Sequence, residues 1–402
     1  MITVLRRFLK RKKVAVIICA LIMCTFIYAC GRKDDSALQE VTDEEEGQVE
    51  NTEAYEEFEK SVSENANTEI SGNVLKVEYG YESSYGAERE RDGDKVRSYL
   101  TGKFVPSSIG DRRPVAVMLN NIEAAQPMSG VSFADIIYEC VVEGSLTRMM
   151  GIFENYDELD KIGSVRSCRN YFVYYALELD AIYCHYGQSS YAVPLLEQPY
   201  VDNLSGLAAV GNTVFYRTTD REAPHNAYAS AKGIKKGIED MGYDTAYDPD
   251  YKGKFTFAKD GDVIVPDSAD SYDAKRVEPG YLINKPWFEY NEEDQKYYRF
   301  QYGDKQIDDT TGKQLAVDNI ILQYSAWQQV DDNGYLGFDC HTGGKMTYIT
   351  HGRARDGIWV RFDMDEGAVR YFDLEGAEIV VNQGKTWIEI IQDSEGDKVK
   401  VN

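Results

Sequence analysis

Histidine, cysteine and positive charge are all scarce in this chain. Its 402 residues hold four His and seven Cys, and 44 Lys and Arg face 68 Asp and Glu, a formal net charge of −24. Such an acidic balance excludes a broad surface for nucleic acid or for bare anionic lipid, so an anionic ligand would need a local basic pocket. His185, His225, His341 and His351 lie too far apart for a local zinc motif, and no CxxC pair occurs. There is no P-loop, no GxGxxG in a βαβ unit and no GxSxG elbow. ATP-driven, NAD-dependent and ordinary serine esterase chemistry therefore lose support, and neither metal nor cofactor is expected. Long apolar runs are absent too, with one exception near the N-terminus.

That exception runs from Val14 to Ala29 behind Arg6, Arg7, Lys10, Arg11, Lys12 and Lys13. Its length suits a signal-peptide core and is short for a spanning helix. It ends in Ile27-Tyr28-Ala29-Cys30, a lipobox with a small residue directly before the Cys. The pattern predicts a diacylglycerol on the Cys30 thiol, removal of residues 1–29, and acylated Cys30 as the new N-terminus. An uncleaved membrane anchor is the alternative. Either way the body is expected on the extracytoplasmic face of a cell membrane, in a Gram-positive bacterium. The signal carries six basic and no acidic residues, so the mature chain stands at −24 − 6 = −30.

Residues 30–72 crowd Asp and Glu with few apolar residues and read as an acidic, disordered tether. A transitional segment, 73–112, shows no clear period. From 113 the chain reads as an α/β domain extending to 252. Buried strands are predicted at 113–119, 134–142 and 146–154, the last two joined by the turn Glu143-Gly144-Ser145. A helix over 170–179, a strand over 181–185 and helices over 191–197 and 230–241 follow. Beyond 253 short alternating strands punctuated by Gly and Asp predict a β-rich C-terminal domain to 402. The fold class is thus α+β or α/β: a mixed layered N-terminal domain followed by a β-rich module. Hydrophobic residues at 43% and aromatics at 12% are ample for such a core. Cys140, Cys168, Cys184 and Cys340 sit on apolar segments and are expected as unpaired core residues, with disulfides the alternative.

Several motifs occur in order: Arg113-Pro-Val-Ala-Val-Met, Gln126-Pro-Met-Ser-Gly, Ala134-Asp-Ile-Ile-Tyr-Glu, Glu143-Gly-Ser-Leu-Thr-Arg148, Ile162-Gly-Ser-Val-Arg-Ser-Cys-Arg169 and Arg221-Glu-Ala-Pro-His-Asn226. With Gly384-Lys-Thr-Trp-Ile388 near the end, the series resembles the YerB-like lipoproteins from about residue 104 onward. That resemblance implies a domain of unknown function with a separate C-terminal module, and no established activity.

Four groups of residues could carry chemistry. Arg166 and Arg169 lie where a strand gives way to a helix start, a natural site for phosphate or carboxylate; ion pairing to Asp135, Glu139 or Glu143 is the competing reading. In the segment 216–226, His225 beside Pro224 and Asn226 could act as a base or hydrogen-bond donor, with Arg221 holding an anion. The loop-anchoring alternative for His225 is as good. Asp135, Glu139 and Glu143, spaced by four, are expected on one face, with Arg148 returning near them; they could supply an acid–base pair or simply be ion-paired. His185 ends a strand where α/β proteins build sites and is expected to face the same crevice as Arg166. The first functional reading is an exported protein that binds an anionic envelope-associated ligand, whether small molecule, glycan or peptide. A cell-envelope enzyme processing phosphate or glycan, with His225 or Glu139 as base, is the alternative, and an assembly module is the third. Whether the chain is an enzyme stays open at this level.

Overall fold

A computed structural model describes residues 89–266, 270–361 and 367–402, together with Glu57. The signal segment, the tether with Cys30 apart from Glu57, and the first part of the transitional segment lie outside the described residues. The architecture is a mixed sheet carrying few helices in the N-terminal half and antiparallel β-structure in the C-terminal half, as the strand and helix periods predict.

The N-terminal half opens its core with β1 (Val115–Asn120), whose six residues are all buried. A continuous Val-Ala-Val-Met-Leu run suits a strand covered on both faces. Next come β2 (Ile136–Val141) and β3 (Thr147–Phe153), an antiparallel pair. They are joined by a single 3-10 turn, Glu143–Ser145, in which Gly144 adopts φ +67°. Helix α1 (Asn170–Leu177) is wholly buried, then β4 (Ile182–His185) and the short β5 (Asn203–Ser205). Helix α2 (Ala231–Met241) begins where the Ser230 hydroxyl accepts from the Gly233 amide at 3.1 Å. It ends at Gly242, whose φ of +66° is the left-handed stop that glycine tolerates.

In the C-terminal half, β6 (Trp287–Asn291) and β7 (Lys296–Gln301) form the middle of a small six-stranded sheet. Five longer strands, β8 (Asn319–Ser325), β9 (Gly343–Thr350), β10 (Arg353–Arg361), β11 (Val369–Asp373) and β12 (Thr386–Gln392), enter the large sheet instead. That sheet has eleven strands in the order Tyr272–Asp273, β10, β9, β8, β12, β2, β3, β1, β4, β5, with β11 also on β10. Strand β12 pairs in parallel with both β8 and β2, so one sheet runs across residue 252 without a break. The physical cause is visible in sequence: Thr-Trp-Ile-Glu-Ile-Ile in β12 is apolar on both faces and needs a central position.

Six strands, β8, β12, β2, β1, β4 and β5, run the same way, and only β3 opposes them between β2 and β1. Their carboxyl ends, Ser325, Gln392, Val141, Asn120, His185 and Ser205, therefore form one rim. The small sheet covers the face that carries Glu139, with Phe288 edge-on to Trp387 at 5.4 Å. Helix α1 covers the opposite face, where Tyr138 stacks on Tyr175 at 5.1 Å. Cys140, Cys168, Cys184 and Cys340 are all buried, free thiols. No helix among the described residues is long and apolar enough to cross a membrane.

Candidate functional site

The rim is built where β1 and β4 end. Residues 164–168 thread over those ends: the Asn120 amide donates to Ser164 O at 2.9 Å, the Arg166 amide to Met118 O at 3.1 Å, and the Tyr186 amide to Arg166 O at 3.0 Å. Cys168 then pairs with the turn after β4 through Gly187 O at 2.9 Å, and α1 starts immediately after Arg169. The half-buried Arg166 is thereby set at the carboxyl ends of parallel strands, the usual location of ligand sites in α/β sheets.

Arg148 arrives from the start of β3, opposite Asn120 on β1 and Cys140 on β2. Its Nη1 donates to Ser167 O at 2.7 Å, holding the threaded segment from below. Arg169 grips Glu143 with two bonds, Nε–Oε1 at 2.6 Å and Nη2–Oε2 at 2.7 Å, and lies 5.2 Å over the Tyr335 ring. Burial pushes the Glu143 carboxyl up, and Arg169 more than reverses this, leaving it below its ordinary value. Arg148 fares differently. Burial, then the charges of Arg169 and Arg166, pull its guanidinium down to about 9, against the opposing influence of Glu143 and Tyr171. Three guanidiniums and one carboxylate thus act on each other in an otherwise acidic protein.

His225 joins the same rim, its Nδ1 3.0 Å from Asn120 Nδ2, on the residue that is the register partner of Arg148. His185, fully buried, lies 2.8 Å by Nδ1 from Gly187 O and 3.3 Å by Nε2 from Asn203 Oδ1. It shapes the turn after β4 from within. Asn226 closes its own loop, donating to Thr218 O at 2.8 Å and accepting from Arg217 at 2.8 Å. Arg221 staples that loop to the carbonyls of Ala125 and Pro127, the second at 2.7 Å.

The three carboxylates spaced by four do not converge. Asp135 accepts from the Glu154 amide at 3.0 Å, and burial raises its pKa while the nearby Lys385 opposes this. Glu139 points to the small sheet: its Oε1 accepts from Asn121 and Asn284 at 2.9 Å each, and its Oε2 pairs with Arg299. Glu143 lies past the end of β2, at the start of the 3-10 turn, and pairs with Arg169. A spacing of four keeps one face only while the strand continues, and β2 stops at Val141.

Sequence reading missed the partners of Glu139. Arg299 Nη1 also binds Glu389 Oε1 at 2.9 Å, and all three side chains are fully buried. The signal was present: Lys296–Gln301 alternates with Tyr297, Arg299 and Gln301 on its buried phase. An Arg in that phase needs a buried acid. Among the described residues no group of three His, Cys, Asp or Glu is placed to hold a metal ion.

The fold and its rim define a mixed-sheet protein whose two halves share one core, with an arginine cluster where parallel strands end. The chain belongs to the DUF3048 family. Its residues 100–244 match the N-terminal domain described as "Protein of unknown function (DUF3048)", and residues 277–388 match the corresponding C-terminal domain. It is 32% identical over 302 residues to YerB of Bacillus subtilis (strain 168), a protein named as a lipoprotein, across 74% of this chain and 87% of that one. The crystal structure of the Bacillus subtilis YerB protein superposes with a TM-score of 0.67 at 30% identity, over 76% of this chain and 99% of that chain.

Proposed function

We propose that this chain is a lipid-anchored extracytoplasmic binding protein whose ligand presents an anionic group to Arg148 and Arg166. The carrying observation is geometric: the guanidiniums of Arg166 and Arg169 lie near enough to repel that of Arg148 at the strand-end rim, where Arg148 is held by Ser167 O and Arg169 by Glu143. A phosphate or carboxylate between Arg148 and Arg166 would relieve that repulsion through charge-assisted bonds. Asn120 and His225 add hydrogen-bonding groups at the same edge. Binding is favoured over turnover because Glu139, one of two candidate bases, is sealed on the opposite face of the sheet.

The anchor is read from the lipobox at Cys30 and from the relative's name as a lipoprotein. Cys30→Ser is expected to shift the chain from the membrane to the soluble fraction and to abolish a diacylglycerol mass increment on the N-terminal peptide. Retention of both would sink the anchor assignment. For the rim, titration with inorganic phosphate by calorimetry is expected to give saturable binding that Arg166→Gln weakens. Identical binding in Arg166→Gln, with the fold intact by circular dichroism, would remove the basis for an anion site there.

A further inference from the structure

One loop turns aliphatic side chains away from the core. It joins the strand Arg276–Glu278 to β6 in the small sheet. At its tip Leu282 and Ile283, adjacent in the chain, are exposed at 51% and 46%. Both flanks of the tip are pinned. The buried Tyr281 hydroxyl lies 3.0 Å from Ile390 O and 3.1 Å from Glu139 O. The buried Asn284 side chain donates to Glu139 Oε1 at 2.9 Å and to Gln301 Oε1 at 3.2 Å, while Asn284 O accepts from the Tyr302 amide at 2.8 Å. Gly280, at φ +87°, lies so close to Lys398 that a Cβ there would meet its backbone at 2.9 Å. A fixed scaffold therefore holds the two aliphatic side chains out.

The neighbours of the tip are of the kind that settles at a membrane boundary. Lys285 follows at φ +42°, exposed and without an ion pair among the described residues. Half-buried Trp287 stacks on Phe300 at 4.8 Å and donates its indole N–H to Glu289 Oε1 at 2.9 Å. A cavity of about 370 Å³ is lined by Leu282 and Trp287, with Arg276, Lys285 and Lys398 around it and one carboxylate, Glu278. Arg276 is held by Glu278 and Glu289, and Lys398 by Glu395, so Lys285 is the cation that a phosphate would meet. At a bilayer surface aliphatic groups enter the hydrocarbon, indoles lie among headgroups and lysine ammonium groups reach the phosphates. The bilayer is also the surface that an acylated chain cannot leave. Cys30 precedes Arg89, where the body begins, by 89 − 30 = 59 residues, and a flexible chain of that length spans roughly 40–45 Å. The acidity of the mature chain gives no pull toward anionic lipid, so apolar insertion has to carry the contact.

We infer that the Leu282–Ile283 tip inserts into the bilayer that holds Cys30, with Lys285 against lipid phosphates, and so seats the body on the membrane in one orientation. This inference rests on the anchor reading above and is independent of the anion site.

The test uses the full acylated chain, its diacylglycerol verified by mass, in vesicles of phosphatidylcholine and phosphatidylglycerol. Cys140, Cys168, Cys184 and Cys340 are buried and the Cys30 thiol would carry the lipid, so a nitrobenzoxadiazole label on Leu282→Cys reports on the tip alone. That label is expected to be quenched by nitroxide-bearing lipid and to emit to the blue of the same label on Leu374→Cys, exposed at 55% on another loop. Adding Ile283→Asp should abolish both effects and Lys285→Glu should lessen the quenching, whereas Ile283→Leu keeps them. In each variant the chain stays in the vesicle fraction with its circular dichroism unchanged. If the label on Leu282→Cys is no more quenched than that on Leu374→Cys in a chain of verified acylation, the inference is wrong and the anchor stands. Absence of the diacylglycerol mass overturns the anchor and takes this inference with it. A blue shift that nitroxide lipid leaves unquenched and that grows with protein concentration would assign the tip to contact between copies instead.

Discussion

Two charged clusters lie on opposite faces of the large sheet. On one face, Arg299 is enclosed with two carboxylates, Glu139 and Glu389, cross-strand partners in the parallel β2–β12 register. On the other, Arg148, Arg166 and Arg169 surround the single carboxylate of Glu143. The first cluster is sealed, with Arg299 4.6 Å from the rings of both Phe288 and Trp387, and its groups serve one another. The second stands at strand ends, where the guanidiniums of Arg166 and Arg169 act on that of Arg148. The same residue types are thus arranged differently: one buried cation bridges an acid pair and joins two layers, whereas three arginines crowd together at a rim.

Breaking the sealed cluster should have the largest effect. Arg299→Met leaves the buried Glu139 and Glu389 carboxyl groups without the cation that bridges them and is expected to cost about 3–5 kcal/mol in urea unfolding. The loss should largely vanish when Glu139→Gln and Glu389→Gln are added. A cost below about 1 kcal/mol would show that the cluster does not join the layers.

A second test uses pH. Burial, then the Glu139 charge, holds the Glu389 carboxyl well above its ordinary range. A folded-state pKa raised above the unfolded value gives stability that is present below the unfolded pKa and lost as pH rises through the folded one. Glu389→Gln should therefore raise the Tm at pH 8 and leave it unchanged at pH 4. The opposite ordering would mean that Glu389 is held as a carboxylate.

The rim should respond in binding and hardly in stability. Arg166→Gln is expected to weaken phosphate binding about ten-fold, equivalent to about 1.4 kcal/mol, with the urea midpoint unchanged. Smallest of all, Arg148→Met trades the bond to Ser167 O for relief from two neighbouring cations. Its stability should shift by about 1 kcal/mol or less, while phosphate binding falls. A large unfolding penalty at Arg148 would make the rim a structural cluster like the sealed one.

Much of this was legible in the chain itself. Val115–Asn120, the β2–β3 hairpin, α1, β4 and α2 fall where period, caps and breakers place them, within two or three residues. Arg166 lies in an irregular segment between the two-residue strand Ile162–Gly163 and α1, and only the neighbouring β1 and β4 bring it to the sheet. The pairing of Arg169 with Glu143 was among the partners considered, yet spacing could not choose it over Asp135 or Glu139. The reason is that β2 ends at Val141, so Glu143 has left the strand's alternation while Glu139 keeps it. His185 and Asn226, residues of a kind that marks sites, are used up by Gly187, Asn203, Thr218 and Arg217.

The amino-acid sequence by itself determined the elements, the acidic charge, the lipobox at Cys30 and the exclusion of nucleotide motifs, because each depends on residues adjacent in the chain. Tertiary structure alone decided which side of the sheet each charge occupies and that β12 joins β2 across some 250 residues. Those outcomes depend on strand order, and strand order is set by the burial of whole faces, which no local spacing encodes.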